Sequence, residues 1–248
     1  SKTLIELKKS FEMRLQIIYS KREAENISNL ALMHILNLKT KADFILNAQT
    51  NVGQDKIDLC YSWLSELEKG KPIQHLIEQV EFDGLSLKVN KSVLIPRPET
   101  EELVYLIKEL EDKNLSGKAI DIGTGSGCIP LSIKNHFPKL EVFGLDVSEN
   151  ALAVAEENSS ANGLQVTWLL LDFINEDVNH LGKFDLIVSN PPYIPISEKT
   201  LMDGNVVDYE PHIALFTPDN DPLLFYRRIL EFATEHLNNK GSIYFELH

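Results

Sequence analysis

The sequence predicts an α/β fold in which a doubly wound parallel sheet follows a small helical bundle and a linking β-hairpin. In residues 118–190, short runs rich in Ile and Val alternate with amphipathic helical stretches, as in a parallel sheet whose strands are joined by crossover helices. Residues 1–79 instead repeat apolar residues at spacings of three and four, which is typical of packed helices. The two patterns together predict a Rossmann-like sheet domain preceded by a helical one.

These changes of pattern divide the chain into three predicted domains: residues 1–79 as a helical bundle, 80–117 as a hairpin and linker, and 118–248 as the sheet domain. The hairpin is predicted from Asp83-Gly84, which lies between two stretches of alternating apolar and polar residues. The predicted core of the bundle comprises Leu4, Leu7, Phe11, Met13, Leu15, Ile18, Ile27, Leu30, Met33, His34, Ile35, Leu38, Ile57, Cys60, Tyr61, Leu64 and Leu67.

The composition favours a soluble cytoplasmic protein. The 248 residues are 43% hydrophobic, yet no apolar run reaches transmembrane length and no signal-peptide pattern opens the chain. Cys60 and Cys128 lie far apart and the seven histidines are scattered, so we predict buried thiols and no metal site.

The net charge of −13 is unevenly distributed. Residues 1–79 carry 11 basic and 10 acidic side chains, whereas residues 80–248 carry 13 basic and 27 acidic ones, a net charge of −14. Such an acidic domain argues against non-specific binding to the phosphates of duplex nucleic acid.

A glycine-rich turn follows the first predicted strand of the sheet domain, Lys118–Ile122. It reads Asp121-Ile-Gly123-Thr124-Gly125-Ser126-Gly127, and glycines at this place let a cofactor approach the backbone closely. Asp146 ends the second strand, where a carboxylate can accept from two ribose hydroxyls, and Asp172-Phe173 follow the third, where they can bind and cover an adenine ring. We interpret the turn and these acids as a nucleoside pocket, although aspartates at strand ends are also common for purely structural reasons.

The fourth strand, Phe184–Ser189, ends in the elbow Asn190-Pro191-Pro192-Tyr193. Two prolines make this elbow stiff, since each fixes its own φ and restricts the residue before it. Asn190 and a backbone carbonyl can accept both N–H groups of a planar amine, and Tyr193 can pack on its flat face. The alternative is a loop whose prolines merely end the strand.

A second proline-rich segment, Ile95-Pro96-Arg97-Pro98-Glu99, precedes a predicted helix, Glu101–Glu109, that Thr100 or Glu99 can cap. Two interpretations stay open. The segment is either a linker with a well-capped helix or a rigid flap over the cofactor, with Arg97 and Glu99 facing it.

Taken together, these motifs closely resemble those of the release factor glutamine methyltransferases, the PrmC/HemK family, over nearly the whole chain. The resemblance rests on the segments Pro72-Ile-Gln-His75, Glu81-Phe-Asp-Gly84, Leu94-Ile-Pro-Arg-Pro-Glu-Thr-Glu101, Asp121-Ile-Gly-Thr-Gly-Ser-Gly-Cys-Ile129, Ser189-Asn-Pro-Pro-Tyr-Ile-Pro195, Asp208-Tyr-Glu-Pro211 and Phe225-Tyr-Arg-Arg228.

The resemblance implies a methyltransferase sheet domain that uses S-adenosylmethionine and methylates the glutamine side-chain amide in the Gly-Gly-Gln motif of class 1 peptide chain release factors. It assigns the elbow residues Asn190, Pro191, Pro192 and Tyr193 to catalysis and to the glutamine. From the flap interpretation of the proline-rich segment we add Arg97 and Glu99 as predicted substrate-binding residues. The residues assigned to the cofactor are Asp121, Gly123, Thr124, Gly125, Ser126, Gly127, Asp146, Asp172, Phe173 and Asn190. Residues 1–79, which carry no chemistry, are predicted to dock the protein substrate.

The sequence departs from that family in two places. Thr217-Pro-Asp-Asn-Asp-Pro222 stands where a glycine pair is usual, and the chain ends at His248 without the hairpin that follows the fifth strand. The second departure, with the lack of an initiating Met, leads us to expect a shortened chain whose full-length form is a monomer. No membrane partner is expected.

Two other functions use the same features. An enzyme that methylates an exocyclic base amine in DNA or RNA can share the elbow, but it needs basic grooves for phosphate. A non-catalytic module that binds the methyl donor and recruits a partner can share the pocket, but it has no need of an intact elbow.

Overall fold

A computed structural model describes residues 2–201 and 208–247 of the chain. Ser1, residues 202–207 and His248, which belong to the predicted helical and sheet domains, lie outside the described residues. The chain divides into two structural units, Ser1–Ile77 and Glu78–His248.

The first unit is helical. Its helices are α1 (Leu4–Leu15), α2 (Lys21–Ile35), α3 (Lys41–Leu46), α4 (Gln54–Glu68) and α5 (Ile73–Ile77). Thr3, Ser20 and Thr40 begin the first three helices with capping boxes, in which a side chain accepts from a backbone N–H of the first turn and an acid three residues later reaches back. A short antiparallel ladder joins β1 (Lys2–Thr3) to β2 (Asn51–Val52).

The core of this unit is built largely on the predicted apolar faces. Leu7, Phe11, Leu15 and Leu64 are fully buried there, and Cys60 is a buried free thiol. Four core predictions are wrong, because Met13 is 71% exposed, Ile18 and Leu30 are each 48% exposed, and His34 is exposed as well. Met13 lies off the face that Leu4, Leu7, Phe11 and Leu15 bury, and Ile18 comes after the end of α1, where the helical spacing no longer applies.

The second unit begins with the predicted hairpin, β3 (Gln79–Phe82) paired antiparallel with β4 (Leu85–Lys88). The two turn residues both have positive φ, 50° at Asp83 and 76° at Gly84, which matches the twist of a tight two-residue hairpin turn. The side chain of Glu101 accepts from the Asp83 N–H at 2.7 Å, and Lys108 forms an ion pair with the Asp83 carboxylate. These two residues belong to α6 (Pro98–Leu110), so they attach the hairpin to that helix.

Helix α6 begins differently from the prediction. It starts at Pro98 with Arg97 as its N-cap residue, and no side chain caps it, so the expected cap by Thr100 or Glu99 is wrong. Proline suits the first helical position because the N–H of that position forms no hydrogen bond within the helix. A residue that lacks an N–H therefore loses no hydrogen bond there.

Among the described residues, five parallel strands form the central sheet in the order β11-β8-β5-β6-β7. They are β5 (Gly117–Ile122), β6 (Leu140–Asp146), β7 (Thr167–Leu170), β8 (Phe184–Ser189) and β11 (Leu237–Phe245). The helices between them are α7 (Cys128–His136), α8 (Glu149–Asn162) and α9 (Leu224–His236). A short parallel ladder beyond the sheet pairs β9 (Ile194–Pro195) with β10 (Phe216–Thr217).

This strand order positions the site. The chain builds outward from β5 through β6 to β7, then returns to the other side of β5 with β8 and β11. At such a reversal the two neighbouring crossovers leave on opposite faces, which opens a crevice at the carboxyl ends of the strands. One buried apolar cluster, which includes Ile107, Leu131 and Phe137, covers one face of the sheet. Another, which includes Phe184, Ile229 and Phe232, covers the opposite face.

Candidate active site

A cavity of about 340 Å³ opens at the carboxyl ends of β5, β6 and β8. It brings together most of the residues that the sequence assigned to the cofactor and the acceptor. Those on its wall are Gly123, Thr124, Gly125, Ser126, Asp146, Asp172, Phe173, Asn190, Pro191 and Pro192. Asp121, Gly127, Tyr193, Arg97 and Glu99 are not among the lining residues.

The glycine turn presents bare backbone to this cavity. Gly123 and Gly125 have φ of 80° and 54°, and a Cβ atom at either position would meet nothing within 4 Å. The N–H groups of Gly123 and Thr124 donate to the Leu145 carbonyl at 2.8 and 2.9 Å, which fixes the turn against β6. The turn is therefore rigid while its cavity side stays open.

Gly127 has a different role from the other two glycines. It is the N-cap residue of α7, and a Cβ there would lie 2.8 Å from the ring of Trp168 and 3.1 Å from the Cβ of Ala155. Its φ of 80° also disfavours any other residue. The third glycine thus allows close packing of the helix rather than lining the cavity.

Asp146 supports the turn as well as facing the cavity. Its Oδ2 accepts from the Gly125 N–H and its Oδ1 from the Ser148 N–H, each at 2.9 Å. Burial raises the pKa of this carboxyl above its usual value, and the backbone hydrogen bonds oppose the shift. Each carboxylate oxygen has a further lone pair, so the predicted binding of two ribose hydroxyls is compatible with these contacts.

Asp121 lies at the end of β5, where it is only 1% exposed. Neither of its carboxylate oxygens has a hydrogen-bond partner of normal geometry within the described residues. Burial raises its pKa to about 7, with the nearby Thr124 hydroxyl opposing and Asp146 adding to the shift. The group is therefore a buried acid behind the turn that binds a proton more readily than an ordinary aspartate.

Asp172 and Phe173 reach the cavity from the loop after β7. The Asp172 carboxylate accepts from the N–H groups of Ile174 and Asn175 and from the Asn175 side chain, and this last bond lowers its pKa. Phe173 is 5% exposed and packs edge-on against Phe232, with ring centroids 5.4 Å apart. Their predicted contacts with an adenine ring remain predictions.

Asn190 stands directly after β8, and its side chain is held from outside the elbow. Its Nδ2 donates to the Thr100 hydroxyl in the first turn of α6, at 3.2 Å. The preceding residue, Ser189, is fully buried and donates from Oγ to the Ile122 carbonyl at 2.6 Å, which ties the end of β8 to β5. The elbow is thus anchored on both sides.

Tyr193 lies beside the cavity wall rather than on it. Burial raises the pKa of its hydroxyl, and the nearby carboxylates of Glu246 and Glu99 add to the shift while Arg97 opposes it. Glu246 follows the end of β11 and was not recognised in the sequence, because nothing in its local sequence marks it.

The proline-rich segment, which we call the flap, forms part of the cavity wall, but Arg97 is not among the lining residues. Val93, Leu94, Pro96 and Thr100 line the cavity, whereas Arg97 forms an ion pair with Glu210. The Glu210 side chain is 1% exposed and also accepts from the Ile95 N–H at 3.0 Å. This buried acid thus holds the flap from the Asp208-Tyr-Glu-Pro211 segment.

Sequence reasoning also missed one wall of the cavity. It is formed after the elbow by Pro211, Ile213, Ala214, Phe216, Pro218, Leu224 and Phe225. The motif Asp208-Tyr-Glu-Pro211 was a signal for this region, but the apolar residues beyond it have no periodicity that indicates a pocket.

The fold and this cavity place the protein in the class of S-adenosylmethionine-dependent methyltransferases. A family model described as Methyltransferase small domain matches residues 103–205, a range that contains the glycine turn, Asp146 and the elbow.

Comparison with curated proteins narrows the class to one family. The release factor glutamine methyltransferase of Flavobacterium psychrophilum is 42% identical over 96% of this chain and 84% of its own length. That of Bacteroides thetaiotaomicron is 42% identical over 94% of this chain and 83% of its own length. The chain belongs to the release factor glutamine methyltransferase family, as its motifs predicted. Among solved structures, the ribosomal protein L11 methylase from Lactobacillus delbrueckii subsp. bulgaricus is 25% identical with a TM-score of 0.42, covering 62% of this chain and 61% of that one.

The cavity has the features that S-adenosylmethionine needs. The open backbone at Gly123 and Gly125 leaves room for a cofactor to approach the turn, and the predicted role of Asp146, to accept from hydroxyl groups of the cofactor, stays a prediction. Leu145, Val147, Leu171 and Ile174 provide apolar walls for a flat ring. In the described part of the chain, no helix is long and apolar enough to cross a membrane.

Proposed function

We propose that this protein transfers a methyl group from S-adenosylmethionine to the side-chain amide nitrogen of the glutamine in the Gly-Gly-Gln motif of class 1 peptide chain release factors. The observation that carries the proposal is the Asn190 amide, anchored to Thr100 at the cavity edge within the Asn-Pro-Pro-Tyr elbow. Relatives with 42% identity over nearly the whole chain bear the name release factor glutamine methyltransferase. Because release factors act on ribosomes, we place the reaction in the cytoplasm.

The elbow suits an amide as methyl acceptor. The nitrogen lone pair of an amide is delocalised into its carbonyl, so the nitrogen is a poor nucleophile. Asn190 Oδ1 and a backbone carbonyl of Pro191 or Pro192 can each accept one N–H of the glutamine, which aims the nitrogen and increases its electron density. Tyr193 can pack against the flat face of the same amide.

Positioning supplies most of the catalysis in this account. S-adenosylmethionine supplies, when bound, an electrophilic methyl group with a good leaving group. The elbow and the flap hold the glutamine nitrogen in line with that methyl, which converts an encounter between two molecules into a step within one complex. No strong base is required before transfer, because the nitrogen becomes acidic only once it carries the methyl, and its proton then leaves to water.

We propose further that residues 1–77 dock the protein substrate. The helices of this unit carry none of the residues assigned to the cofactor or the acceptor. Exposed apolar side chains, among them Met13 and Ile17, are available on its surface for contact. Its near-neutral charge also differs from the acidic remainder of the chain.

One assay tests the proposed function against its alternatives. The purified protein is incubated with labelled S-adenosylmethionine and, separately, with intact release factor, a release factor whose motif glutamine is replaced by alanine, DNA, and RNA. We expect label only in the intact release factor. Label in DNA or RNA would instead favour methylation of a base amine, and donor binding without any transfer would favour a non-catalytic module.

A further inference from the structure

Glu246 is placed beside Asn190 by the register of two parallel strands. Phe245 of β11 pairs with Ser189 of β8, so the next residue of each chain segment lies at the same edge of the sheet. The Glu246 N–H donates to the Ser189 carbonyl at 3.1 Å. The Tyr226 hydroxyl donates to the Glu246 carbonyl at 2.9 Å, so the backbone of Glu246 is fixed on two sides.

The side chain of Glu246 is half-buried. Its Oε2 is buried and has no hydrogen-bond partner in the described part of the chain. Burial raises its pKa, as does the neighbouring Glu99, whereas the side chains of Thr100 and Asn190 and the charge of Arg97 favour the ionised form. The carboxyl thus lies near the two side chains that form the Asn190–Thr100 hydrogen bond.

A carboxylate in this position determines which way the Asn190 amide points. An ionised carboxylate only accepts hydrogen bonds, so the NH2 end of a neighbouring amide must face it and the oxygen must face away. The Thr100 hydroxyl already accepts from Asn190 Nδ2. With its NH2 end turned towards these two acceptors, the amide leaves Oδ1 available on the cavity side.

We propose that Glu246 is a positioning residue that, together with Thr100, holds the Asn190 amide with Oδ1 directed at the N–H of the methyl acceptor. This inference rests on the proposed function, in which Asn190 Oδ1 accepts from the glutamine side chain. A rotation of the amide that exchanged its two ends would present an N–H donor to the N–H group of the substrate. Glu246 prevents that rotation by repelling Oδ1.

The test compares Glu246→Gln with a matched control, Glu111→Gln. Gln is nearly isosteric with Glu but can both donate and accept, so it permits either orientation of Asn190. Glu111 also accepts a hydrogen bond from β11, from the Tyr244 hydroxyl at 2.8 Å, but this bond involves neither Asn190 nor Thr100. We expect Glu246→Gln to lower kcat for release factor methylation by about tenfold or more, with S-adenosylmethionine affinity within about threefold of wild type. Glu111→Gln should keep the wild-type kcat.

A second pair of variants covers the case in which Glu246→Gln does not fold. Thr100→Val removes the hydroxyl at constant shape and should also lower kcat, whereas Thr100→Ser should retain most of it. The inference is overturned if the folded Glu246→Gln protein keeps kcat within about threefold of wild type, or if donor affinity falls in step with kcat. It is equally overturned if Thr100→Val and Thr100→Ser behave alike. Absence of methylation by the wild-type protein would instead contradict the proposed function itself.

Discussion

The side chain of Asn190 donates from Nδ2 to the hydroxyl of Thr100 at 3.2 Å, which joins the end of β8 to the first turn of α6. Thr100 also lines the cavity and is only 2% exposed. The elbow and the flap are therefore one connected wall of the cavity. Substitutions in either should affect catalysis and stability in ways that can be separated.

Replacing Asn190 by alanine should abolish methyl transfer while leaving the affinity for the methyl donor within about tenfold, or about 1.4 kcal/mol. The reason is that, in the proposed mechanism, Asn190 holds the acceptor and contacts the donor only at its edge. Calorimetry with S-adenosylmethionine measures the donor affinity, and a methylation assay on the same preparation measures the rate of methyl transfer. Turnover close to that of wild type would remove Asn190 from the mechanism.

Asp146→Ala should weaken donor binding by roughly 2–3 kcal/mol, because a carboxylate that accepts from hydroxyl groups is lost together with its support of the glycine turn. The matched control is Asp185→Ala. Asp185 accepts from the Lys118 N–H and from the Asn238 side chain, both at 2.8 Å, but is not among the cavity residues. Equal effects of the two substitutions on calorimetric donor affinity would contradict the role of Asp146.

Arg97→Ala should destabilise the protein by about 2–4 kcal/mol, since among the described residues it leaves the buried Glu210 carboxylate with only the Ile95 N–H as partner. Adding Glu210→Gln should recover part of that loss, because Gln keeps an acceptor for Ile95 without a buried charge. Urea denaturation of the two single variants and the double variant measures the coupling. Strictly additive free energies of unfolding would show that the ion pair does not hold the flap.

Asp121→Asn should change the pH dependence of stability in the absence of the donor. The pKa of Asp121 is about 7 in the folded protein against a reference value of 3.8, so the folded state binds more protons between these values. Stability therefore falls as pH rises from about 4 to about 7 and levels off above, by roughly 4 kcal/mol at most for this shift. The Asn variant lacks that contribution, so its advantage over wild type should be greater at pH 8 than at pH 5. A stability difference between Asp121→Asn and wild type that is the same at pH 5 and pH 8, measured by thermal denaturation, would contradict this prediction.

Removing residues 1–77 should raise KM for intact release factor much more than it alters donor affinity, if this unit docks the substrate. A short peptide containing the Gly-Gly-Gln motif is the control substrate, because it should react equally well with both forms. An unchanged KM for the intact factor, in a soluble variant comprising residues 78–248, would leave the helices with no docking role.

The sequence predicted those parts of the site that are formed by short, continuous motifs. Gly123 and Gly125 were recognisable because positive φ and open backbone require glycine at a strand–helix turn, and Asn190 because two prolines follow it. The contacts of Thr100, Glu210 and Glu246 were not predicted, because each depends on the packing of distant segments. Arg97 was assigned to the cavity because it lies between two prolines. In the structure it instead forms an ion pair with the buried Glu210, which follows the elbow in the sequence.

For the fold, too, the features set by local sequence were predicted and those set by packing between distant segments were not. The apolar runs of β5 and β8 identified buried strands, and Asp83-Gly84 identified the hairpin, because these signals are local. Met13 was placed in the core for its apolar side chain, although its position on α1 turns it towards solvent. The pairing of Phe245 with Ser189 could not be predicted, because the sequence of one strand does not specify which residues of the other strand lie beside it.

The most direct test of the central claim is to locate the transferred methyl group within the release factor by fragmentation mass spectrometry. After reaction with the purified protein and S-adenosylmethionine, we expect one added methyl on the side-chain nitrogen of the motif glutamine and none elsewhere. With Asn190→Ala, that modification should be absent. A methyl group on any other residue, or an unmodified glutamine in a release factor incubated with active wild-type protein, would contradict the account.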